Sequence, residues 1–449
     1  MLPITRWLQS RDPGEKAYQD CVERFVHSIQ PILEQQPGLE RYALLQRLVE
    51  PERSIIFRIP WMDDQGQVRV NRGYRVEMNS AVGPFKGGLR FHPDAGLSTF
   101  KCLAFEQVLT NSLTSMPLGG ARGGSDFDPK GKSDDEVMRF CQAFMAELGR
   151  HIGPDIDIPE GGLGVGLREI GFLFGAYRKM HNTFSGVITG KGLGWGGSQI
   201  RLQAAGYGAA YFAAEVLAEH GDSLDGKRCL ISGSGNVALA VAEKIIELGG
   251  RVLTLSDSSG SLFDPEGIDA AKLAFVKRLK QIRRGRIAEY VEKYSEAEHT
   301  EAEVASDSNP LWAREADCAF PCAMENEITA ADARNLVQNK VQLVCEGADM
   351  PVTPEAYAII HSSDVLFAPA KAATAGGVAV SCLEMTQNRM LMNWTATEVD
   401  RRLHKTMTAI HELCREAAGE FGEPGNYVLG ANIAAFQRVV GAMQDQGLI

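Results

Sequence analysis

Several features that define whole classes of protein are scarce or absent in this 449-residue sequence. No run approaches the roughly 20 apolar residues that a membrane-spanning helix requires, and the N-terminal segment lacks the apolar core of a signal peptide. The nine cysteines are scattered, and the close pair Cys318 and Cys322 has neither zinc-site spacing nor neighbouring histidines. We therefore expect reduced thiols, no metal site, no membrane partner and a cytoplasmic protein.

Positively charged residues are also scarce relative to negatively charged ones. The 46 Lys and Arg residues are outnumbered by 57 Asp and Glu residues, which gives a net charge of -11. Such a surface repels phosphate backbones, so we expect no nucleic-acid partner. The sequence contains no nucleophilic triad and no Walker loop, so hydrolase and kinase functions have no support.

Glycine, in contrast, is abundant, and much of it lies in dense segments. Glycine weakens helices and strands, so runs of it mark sharp turns or places where the backbone approaches a ligand. The accompanying Lys, Ser and Asp residues favour a polar cleft over simple turns. The segments are 83–93, 117–133, 159–166, 190–198 and 375–381.

The pattern of apolar residues predicts an α/β protein with two domains. Alternating segments between about Ser54 and Met78 indicate paired strands. After Gly206, short apolar runs alternate with helical patterns, which is typical of a doubly wound parallel sheet. We expect one α/β domain over 1–200 and a second, doubly wound domain of the Rossmann type over 201–372. Helices over 373–449 are expected to return to the substrate domain.

A dinucleotide-binding fingerprint supports the second domain. Gly233, Gly235 and Ala238 form G-x-G-x-x-A between an apolar run and a helical pattern. The glycines allow a tight turn and close approach of a pyrophosphate, and the helix N-terminus attracts its charge. Asp257, at the end of the next predicted strand, could bond the ribose hydroxyl of NAD. A nearby cationic group of residues, 280–286, would instead suit the 2′-phosphate of NADP or simply form a solvated helix face.

The order of motifs resembles the hexameric glutamate dehydrogenases, especially the NADP-linked bacterial type. The resemblance is carried by GPFKGGLRFHP, FEQ, GGARGGSDFDPKGKS, TGKGLGWGGS, SGSGNVA, EGADMP and KAATAGGVAVSCLEM, and it runs from about residue 20 to the C-terminus. It implies that 1–200 is a substrate and oligomerisation domain with a mixed sheet and that 201–372 is a Rossmann dinucleotide-binding domain. It also implies interconversion of glutamate with 2-oxoglutarate and ammonia, and a homo-hexamer. It also favours NADP over NAD.

The resemblance implies roles for individual residues as well. Lys86 and Ser381 match the family's contacts to the distal carboxylate of the substrate, and Gln107 and Thr110 match further substrate positions. The expected cofactor-binding residues are Gly233, Gly235, Asn236, Val237, Asp257, Ser258, Lys280, Arg283, Arg286 and Asp349.

The reactive end of the cleft departs from the family pattern. Thr110 stands where the family has a lysine for the α-carboxylate, Arg122 replaces the catalytic lysine, and Gly162 replaces the catalytic aspartate. A guanidinium stays protonated in proteins, so Arg122 can attract an anion but cannot act as a base. Glu160 is a carboxylate that could carry a proton instead, and the alternative interpretation is a solvated loop residue. Arg122 and Glu160 are thus the expected catalytic residues. Ala205, Asp349 and Thr374 also depart from the family pattern.

Three functions remain open at this point. The first is an NADP-dependent oxidoreductase with a rewritten cleft, acting on an amine, imine or carbonyl compound that bears a distal carboxylate. The second is a catalytically inactive homologue with a binding, sensing or scaffold role, assembled alone or with an active paralogue. The third is a conventional NADP-dependent glutamate dehydrogenase.

Overall fold

The computed structural model describes residues 3–35, 42–302 and 307–448. The chain forms two compact units. Unit 1 comprises Met1–Arg201, Val380–Val399 and Asn432–Ile449, and unit 2 comprises Leu202–Ala379 and Asp400–Ala431.

Unit 1 is built on a mixed five-stranded sheet. Its strands are β1 (Arg53–Met62), β2 (Val68–Asn79), β3 (Phe85–Phe91), β4 (Gly120–Ser125) and β5 (Asp157–Glu160). The order is β1-β2-β4-β3-β5, with antiparallel β1-β2 and β2-β4 pairs and parallel β4-β3 and β3-β5 pairs. Its helices before the boundary are α1 (Pro3–Arg11), α2 (Lys16–Ser28), α3 (Gln30–Gln35), α4 (Leu44–Val49), α5 (Leu97–Leu113), α6 (Asp134–Leu148) and α7 (Leu167–His181).

Aromatic packing holds helix α6 against this sheet. Phe91 on β3 meets Phe140 and Phe144 on α6, with ring centroids 5.1 and 5.4 Å apart, and Phe127 stacks on Phe140. All four rings are buried, and each buries a large apolar surface. Helix α6 begins at a capping box in which Ser133 and Glu136 each bond the backbone N–H of the other. The strands that carry the site therefore lie on a rigid support.

Unit 2 contains a seven-stranded sheet of the Rossmann type. Its elements are α8 (Ala204–Glu219), β6 (Arg228–Ile231), α9 (Asn236–Glu247), β7 (Arg251–Asp257), β8 (Gly260–Ile268), α10 (Ala270–Lys277), β9 (Glu298–Glu301), β10 (Cys318–Phe320), α11 (Ala330–Gln338), β11 (Leu343–Cys345), α12 (Pro354–His361), β12 (Leu366–Ala368) and α13 (Ala370–Ala373). The order is β12-β11-β10-β6-β7-β8-β9, parallel from β12 to β7 and antiparallel from β7 to β9. The predicted fold class, two α/β domains of which one has a mixed sheet and one is doubly wound, is confirmed.

Three long helices complete the chain, and each contributes residues to both units. They are α14 (Gly376–Met390), α15 (Ala396–Glu420) and α16 (Tyr427–Gln446). Most of α15 belongs to unit 2, where Asp400 accepts a hydrogen bond from Tyr211 on α8 and His404 stacks on the same ring. The first segment of unit 1 ends at Arg201, and the residues of the C-terminal helices are divided between the two units.

All nine cysteines are free thiols, and eight of them are buried. Among the described residues, no helix has the combination of length and apolar character that would let it cross a membrane. In the same ranges, the His, Cys, Asp and Glu side chains form no cluster of three or more that could hold a metal ion.

Candidate functional site

A dense polar cluster of unit 1 surrounds Glu160, the last residue of β5. Its Oε2 atom accepts hydrogen bonds from Lys86 Nζ at 2.6 Å, Arg201 Nη2 at 2.8 Å and Ser381 Oγ at 2.5 Å. Thr189 Oγ1 lies 3.4 Å from the same oxygen and 2.8 Å from Ser381 Oγ. We call the four donor residues Lys86, Thr189, Arg201 and Ser381 the carboxylate cradle.

The strand register explains why Glu160 reaches Lys86. On the parallel β3-β5 pair, Lys86 lies opposite Ile158 and Gly88 lies opposite Glu160. Residues two apart on a strand share a face, so Lys86 and Glu160 project from the same side of the sheet. Gly88 has no side chain to separate them, and a Cβ atom there would come within 2.9 Å of the Arg122 guanidinium.

The cradle is dry. Lys86, Thr189 and Ser381 are fully buried, and Glu160 is 7% exposed. Burial lowers the pKa of Lys86 to about 8, against the opposing attraction of Glu160. Burial would raise the pKa of Glu160, but the charges of Lys86 and Arg201 outweigh it and hold that pKa well below its ordinary range. Glu160 and Lys86 therefore form a buried ion pair, with Nζ and Oε2 2.6 Å apart.

These contacts bear on two expectations from the sequence. Lys86 and Ser381 were expected to bind the distal carboxylate of a substrate, and in the structure both bind the carboxylate of Glu160. Glu160 was expected either to carry a proton or to be a solvated loop residue. Glu160 is buried at the end of β5, so it is not a solvated loop residue, and its role in carrying a proton stays a prediction.

Arg122, on β4, belongs to a second chain of hydrogen bonds beside the cradle. Its Nε donates to Gln107 Oε1 at 2.9 Å, and Gln107 Nε2 donates to Asn111 Oδ1 at 2.6 Å. Asn111 in turn donates to the backbone carbonyl oxygen of Lys86 at 3.0 Å. Thr110 lies on the same helix, α5, three residues after Gln107, and is partly exposed. Arg122 is thus held in place by Gln107 and presents a permanent positive charge.

The loop after β5 is shaped around Gly162. The N–H of Gly162 donates to the carbonyl oxygen of Val165, and a Cβ atom at 162 would lie 2.6 Å from the carbonyl oxygen of Leu89. Any larger residue would force the loop away from β3. The loss of a family aspartate at this position is therefore accompanied by a close backbone approach that only glycine permits.

Sequence reasoning did not find Thr189 and Arg201. Arg201 lies 41 residues from Glu160, and no spacing signal connects them. It also missed a second buried pair, in which Lys191 Nζ lies 2.7 Å from Glu384 Oε1 and both side chains are fully buried. Thr189 and Lys191 flank Gly190 at the start of the glycine-dense segment 190–198. That segment was the feature of the sequence that could have pointed to them.

The residues of the predicted dinucleotide site come together in unit 2. Gly233 has φ +79°, a conformation that favours glycine, and its N–H donates to Ser256 Oγ at 2.7 Å. Gly235 and Asn236 are exposed at the beginning of α9, with Val237 partly buried behind them. A Cβ atom at Gly235 would meet no atom within 4 Å, so the backbone there is open to a ligand. The turn fits a pyrophosphate group.

Two of the three predicted cations, Lys280 and Arg286, contact residues at the end of β7. Lys280 Nζ contacts Asp257 Oδ2 at 2.5 Å, and Arg286 Nη1 donates to Ser258 Oγ at 2.6 Å. Burial opposes ionisation of Asp257, but its hydrogen bonds with Lys280 and Ser259 lower the pKa of Asp257 to about 2.

The other two cofactor candidates are Arg283 and Asp349. Arg283 pairs with Glu289 at 2.9 Å and its side chain is 60% exposed. Asp349 lies in the segment between β11 and α12. The structure therefore brings Asp257, Ser258, Lys280 and Arg286 together beside the glycine turn.

Comparisons with known proteins agree with both units. Residues 196–447 match the model of the Glutamate/Leucine/Phenylalanine/Valine dehydrogenases, and residues 51–179 match the Glu/Leu/Phe/Val dehydrogenase dimerisation domain. The chain belongs to this dehydrogenase family. It is 50% identical over 446 residues to the NADP-specific glutamate dehydrogenase of Helicobacter pylori, covering 99% of each chain.

Further relatives show the same agreement over nearly the full length. The NADP-specific glutamate dehydrogenase of Escherichia coli is 49% identical over 442 residues, which are 98% of this chain and 97% of the relative. The crystal structure of Plasmodium falciparum glutamate dehydrogenase superimposes with a TM-score of 0.96 at 43% identity, covering 99% of this chain and 94% of that one. The resemblance inferred from the motifs is confirmed at the level of the dehydrogenase family.

Proposed function

We propose that this family member is an NADP(H)-dependent oxidoreductase. The observation that carries the proposal is the grouping of Lys280 and Arg286 at the end of β7, beside the open glycine turn before α9. Asp257, which would favour NAD if its carboxylate were free, is paired with Lys280. Arg286 is exposed and suits a 2′-phosphate, and the names of the relatives support NADP as well.

When bound, the nicotinamide would accept or supply a hydride. The protein's residues would hold the cofactor: the N–H groups at the beginning of α9 would bind the pyrophosphate, and Arg286 with Lys280 would bind the 2′-phosphate. Gly235, whose side-chain direction is open, would let the backbone approach the phosphates.

Glutamate and 2-oxoglutarate are the substrate pair that the relatives favour. Several relatives named as glutamate dehydrogenases share about half of all residues with this chain over its whole length. A conventional NADP-dependent glutamate dehydrogenase is therefore the first activity to test. In this function, the carboxylate of the substrate would have to displace Glu160 from the cradle, and Arg122 would replace a lysine.

The second candidate is an oxidoreductase of the same type with a different substrate. It is favoured by Thr110, Arg122 and Gly162, which together remove the ammonium and carboxyl groups expected at the reactive end. Each acid or base group in position contributes about 10²–10⁴-fold to a rate, so their loss should slow the ordinary reaction severely. If the loss of these groups abolishes the reaction altogether, the protein is a catalytically inactive homologue that still binds NADP(H).

Two measurements test these proposals in sequence. Titration with NADPH and NADH, followed by nicotinamide fluorescence, should show tighter binding of NADPH, and binding of neither would refute the cofactor assignment. An assay with 2-oxoglutarate, ammonium and NADPH should then give many turnovers per second if the enzyme is conventional, since typical kcat values are about 1–10³ per second. Negligible turnover with intact NADPH binding would favour the second candidate.

We also propose that the chain assembles as a homo-hexamer, or with a paralogue if it is inactive, in the cytoplasm. The match to a dimerisation domain supports assembly. Apolar side chains are exposed on neighbouring strands of that segment, namely Ile56 and Met62 on β1 and Val68 and Val70 on β2. Exposed apolar groups on adjacent strands are typical of an interface. Sedimentation of the purified protein tests the hexamer.

A further inference from the structure

The carboxylate cradle already contains a carboxylate. Lys86, Arg201 and Ser381 all donate to Glu160 Oε2 within 2.8 Å, and Thr189 lies next to the same oxygen. Arg201 is also fixed by its Nε, which donates to Ser381 Oγ at 2.8 Å. The arrangement has the donors that would bind the carboxylate of a ligand, and the chain supplies that carboxylate itself.

A second carboxylate at this place would be opposed by charge. Two unit negative charges about 4 Å apart at an effective dielectric constant of about 20 repel strongly enough to lower affinity by about 10³-fold. Lys86 and Arg201 offset part of that repulsion, but their bonds to Glu160 would first have to be broken or shared. The fully buried Lys86 offers no free approach from solvent.

We infer that Glu160 acts as an internal carboxylate that closes the cradle to dicarboxylic ligands, so that the substrate of this enzyme carries an uncharged group where a dicarboxylic substrate would carry its distal carboxylate. The inference rests on the proposed oxidoreductase function and, within it, favours the second candidate over a conventional glutamate dehydrogenase. It differs from the expectation of a substrate with a remote carboxylate, because the residues expected to bind that group are engaged. Glu160 is in this account a specificity-determining residue and takes no part in proton transfer.

Binding of simple acids tests the inference without any redox reaction. Glutarate and pentanoate have the same chain length and differ by one carboxylate. The wild-type protein should bind glutarate no more tightly than pentanoate in calorimetric titration. In Glu160→Ala, the cradle is vacated, and affinity for glutarate should rise by about 10- to 100-fold, the value of one charged hydrogen bond. Pentanoate affinity should change little.

A second substitution serves as the matched control. In the double variant Glu160→Ala with Lys86→Met, the cation of the cradle is missing, so the gain in glutarate affinity should be lost. If Glu160→Ala does not fold, Glu160→Gln provides the comparison, because it keeps the shape and removes the charge. It should show a smaller gain, since the amide still fills the space. Wild-type protein that binds glutarate at least 10-fold more tightly than pentanoate would overturn the inference, as would folded Glu160→Ala with unchanged glutarate affinity.

Turnover separates this inference from the proposed function. With NADPH and ammonium, kcat/KM of the wild-type protein should be higher for 2-oxopentanoate than for 2-oxoglutarate, and Glu160→Ala should reverse the order. A higher value for 2-oxoglutarate in the wild-type protein would refute the inference while leaving the oxidoreductase function intact. Failure to bind NADPH would refute the oxidoreductase function. The glutarate titrations would still show whether Glu160 excludes a ligand carboxylate from the cradle.

Discussion

Substituting Glu160 with alanine should destabilise unit 1 substantially. The ion pair that it removes is buried on both sides, since the side chain of Lys86 is 0% exposed and that of Glu160 is 9% exposed. Removing one member of a buried pair typically costs about 3–5 kcal/mol, because the remaining charge stays buried without its counterion. We expect a value near the lower end, about 3 kcal/mol, since Arg201 is partly exposed and can turn toward water.

Scanning calorimetry is the direct assay. For a unit of about 150–250 residues, 1 kcal/mol shifts Tm by roughly 2–4 °C, so the unfolding of unit 1 in Glu160→Ala should shift downward by about 6–12 °C. Acetate should restore part of this loss, because it can enter the vacated cradle, and stabilisation grows with the logarithm of ligand concentration. Chloride at the same ionic strength should not.

The double variant Glu160→Ala with Lys86→Met provides the internal control for this prediction. Replacing both members of a buried pair with groups that carry no charge is often nearly neutral, so the double variant should be more stable than Glu160→Ala. A Glu160→Ala protein within about 0.5 kcal/mol of the wild type would refute the reasoning, since that is the range of ordinary surface substitutions. So would a double variant less stable than the single one.

Four further predictions concern the cradle, the dinucleotide-binding residues and the loop after β5. Because the folded-state pKa of Glu160 is lowered, its contribution to stability is present above its ordinary value of 4.5 and is lost as pH falls below it, so the stability difference between wild type and Glu160→Ala should shrink between about pH 5 and 3 in urea unfolding. Arg286→Ala should weaken NADPH binding by about 10- to 100-fold and leave NADH binding almost unchanged, whereas Arg283→Ala, whose partner is Glu289, should have a smaller effect in the same fluorescence titration. Gly235→Ala should leave thermal stability within about 0.5 kcal/mol, since a Cβ there meets no atom within 4 Å, yet should weaken binding of both nucleotides; unchanged affinity would contradict the assignment of the turn. Gly162→Asp should lower the free energy of unfolding by about 1–3 kcal/mol because its Cβ would lie 2.6 Å from the Leu89 carbonyl oxygen, and a stability equal to wild type would contradict that geometry.

The fold could be predicted from the sequence because the residue patterns that indicate it are local. The G-x-G-x-x-A turn needs Gly233 at φ +79°, and the short length of the apolar runs around it, with turn residues beside them, favours buried strands. The mixed sheet of unit 1 was likewise expected from alternating segments that end in turn residues. The sequence could not predict how the C-terminal helices are divided. Each of α14, α15 and α16 contributes residues to both units without any break in its helical pattern.

The state of the candidate site depends on contacts between distant parts of the chain. Glu160 is joined to Lys86 across 74 residues and to Ser381 across 221 residues, and neither distance leaves a periodic signal. Sequence reasoning identified all three residues but not their mutual contact, so it assigned them to a substrate and to proton transfer. Arg201 follows a glycine-rich segment and has no pattern of its own. Only the packing of β3, β5 and α14 shows that these charges meet.

A crystal structure of the NADP-loaded protein grown with saturating 2-oxoglutarate would test the central claim most directly. Our account predicts that Glu160 Oε2 stays within hydrogen-bonding distance of Lys86 Nζ, Arg201 Nη2 and Ser381 Oγ, with no ligand carboxylate bound to Lys86. Electron density showing Glu160 turned away from Lys86, with a carboxylate of 2-oxoglutarate in its place, would contradict it.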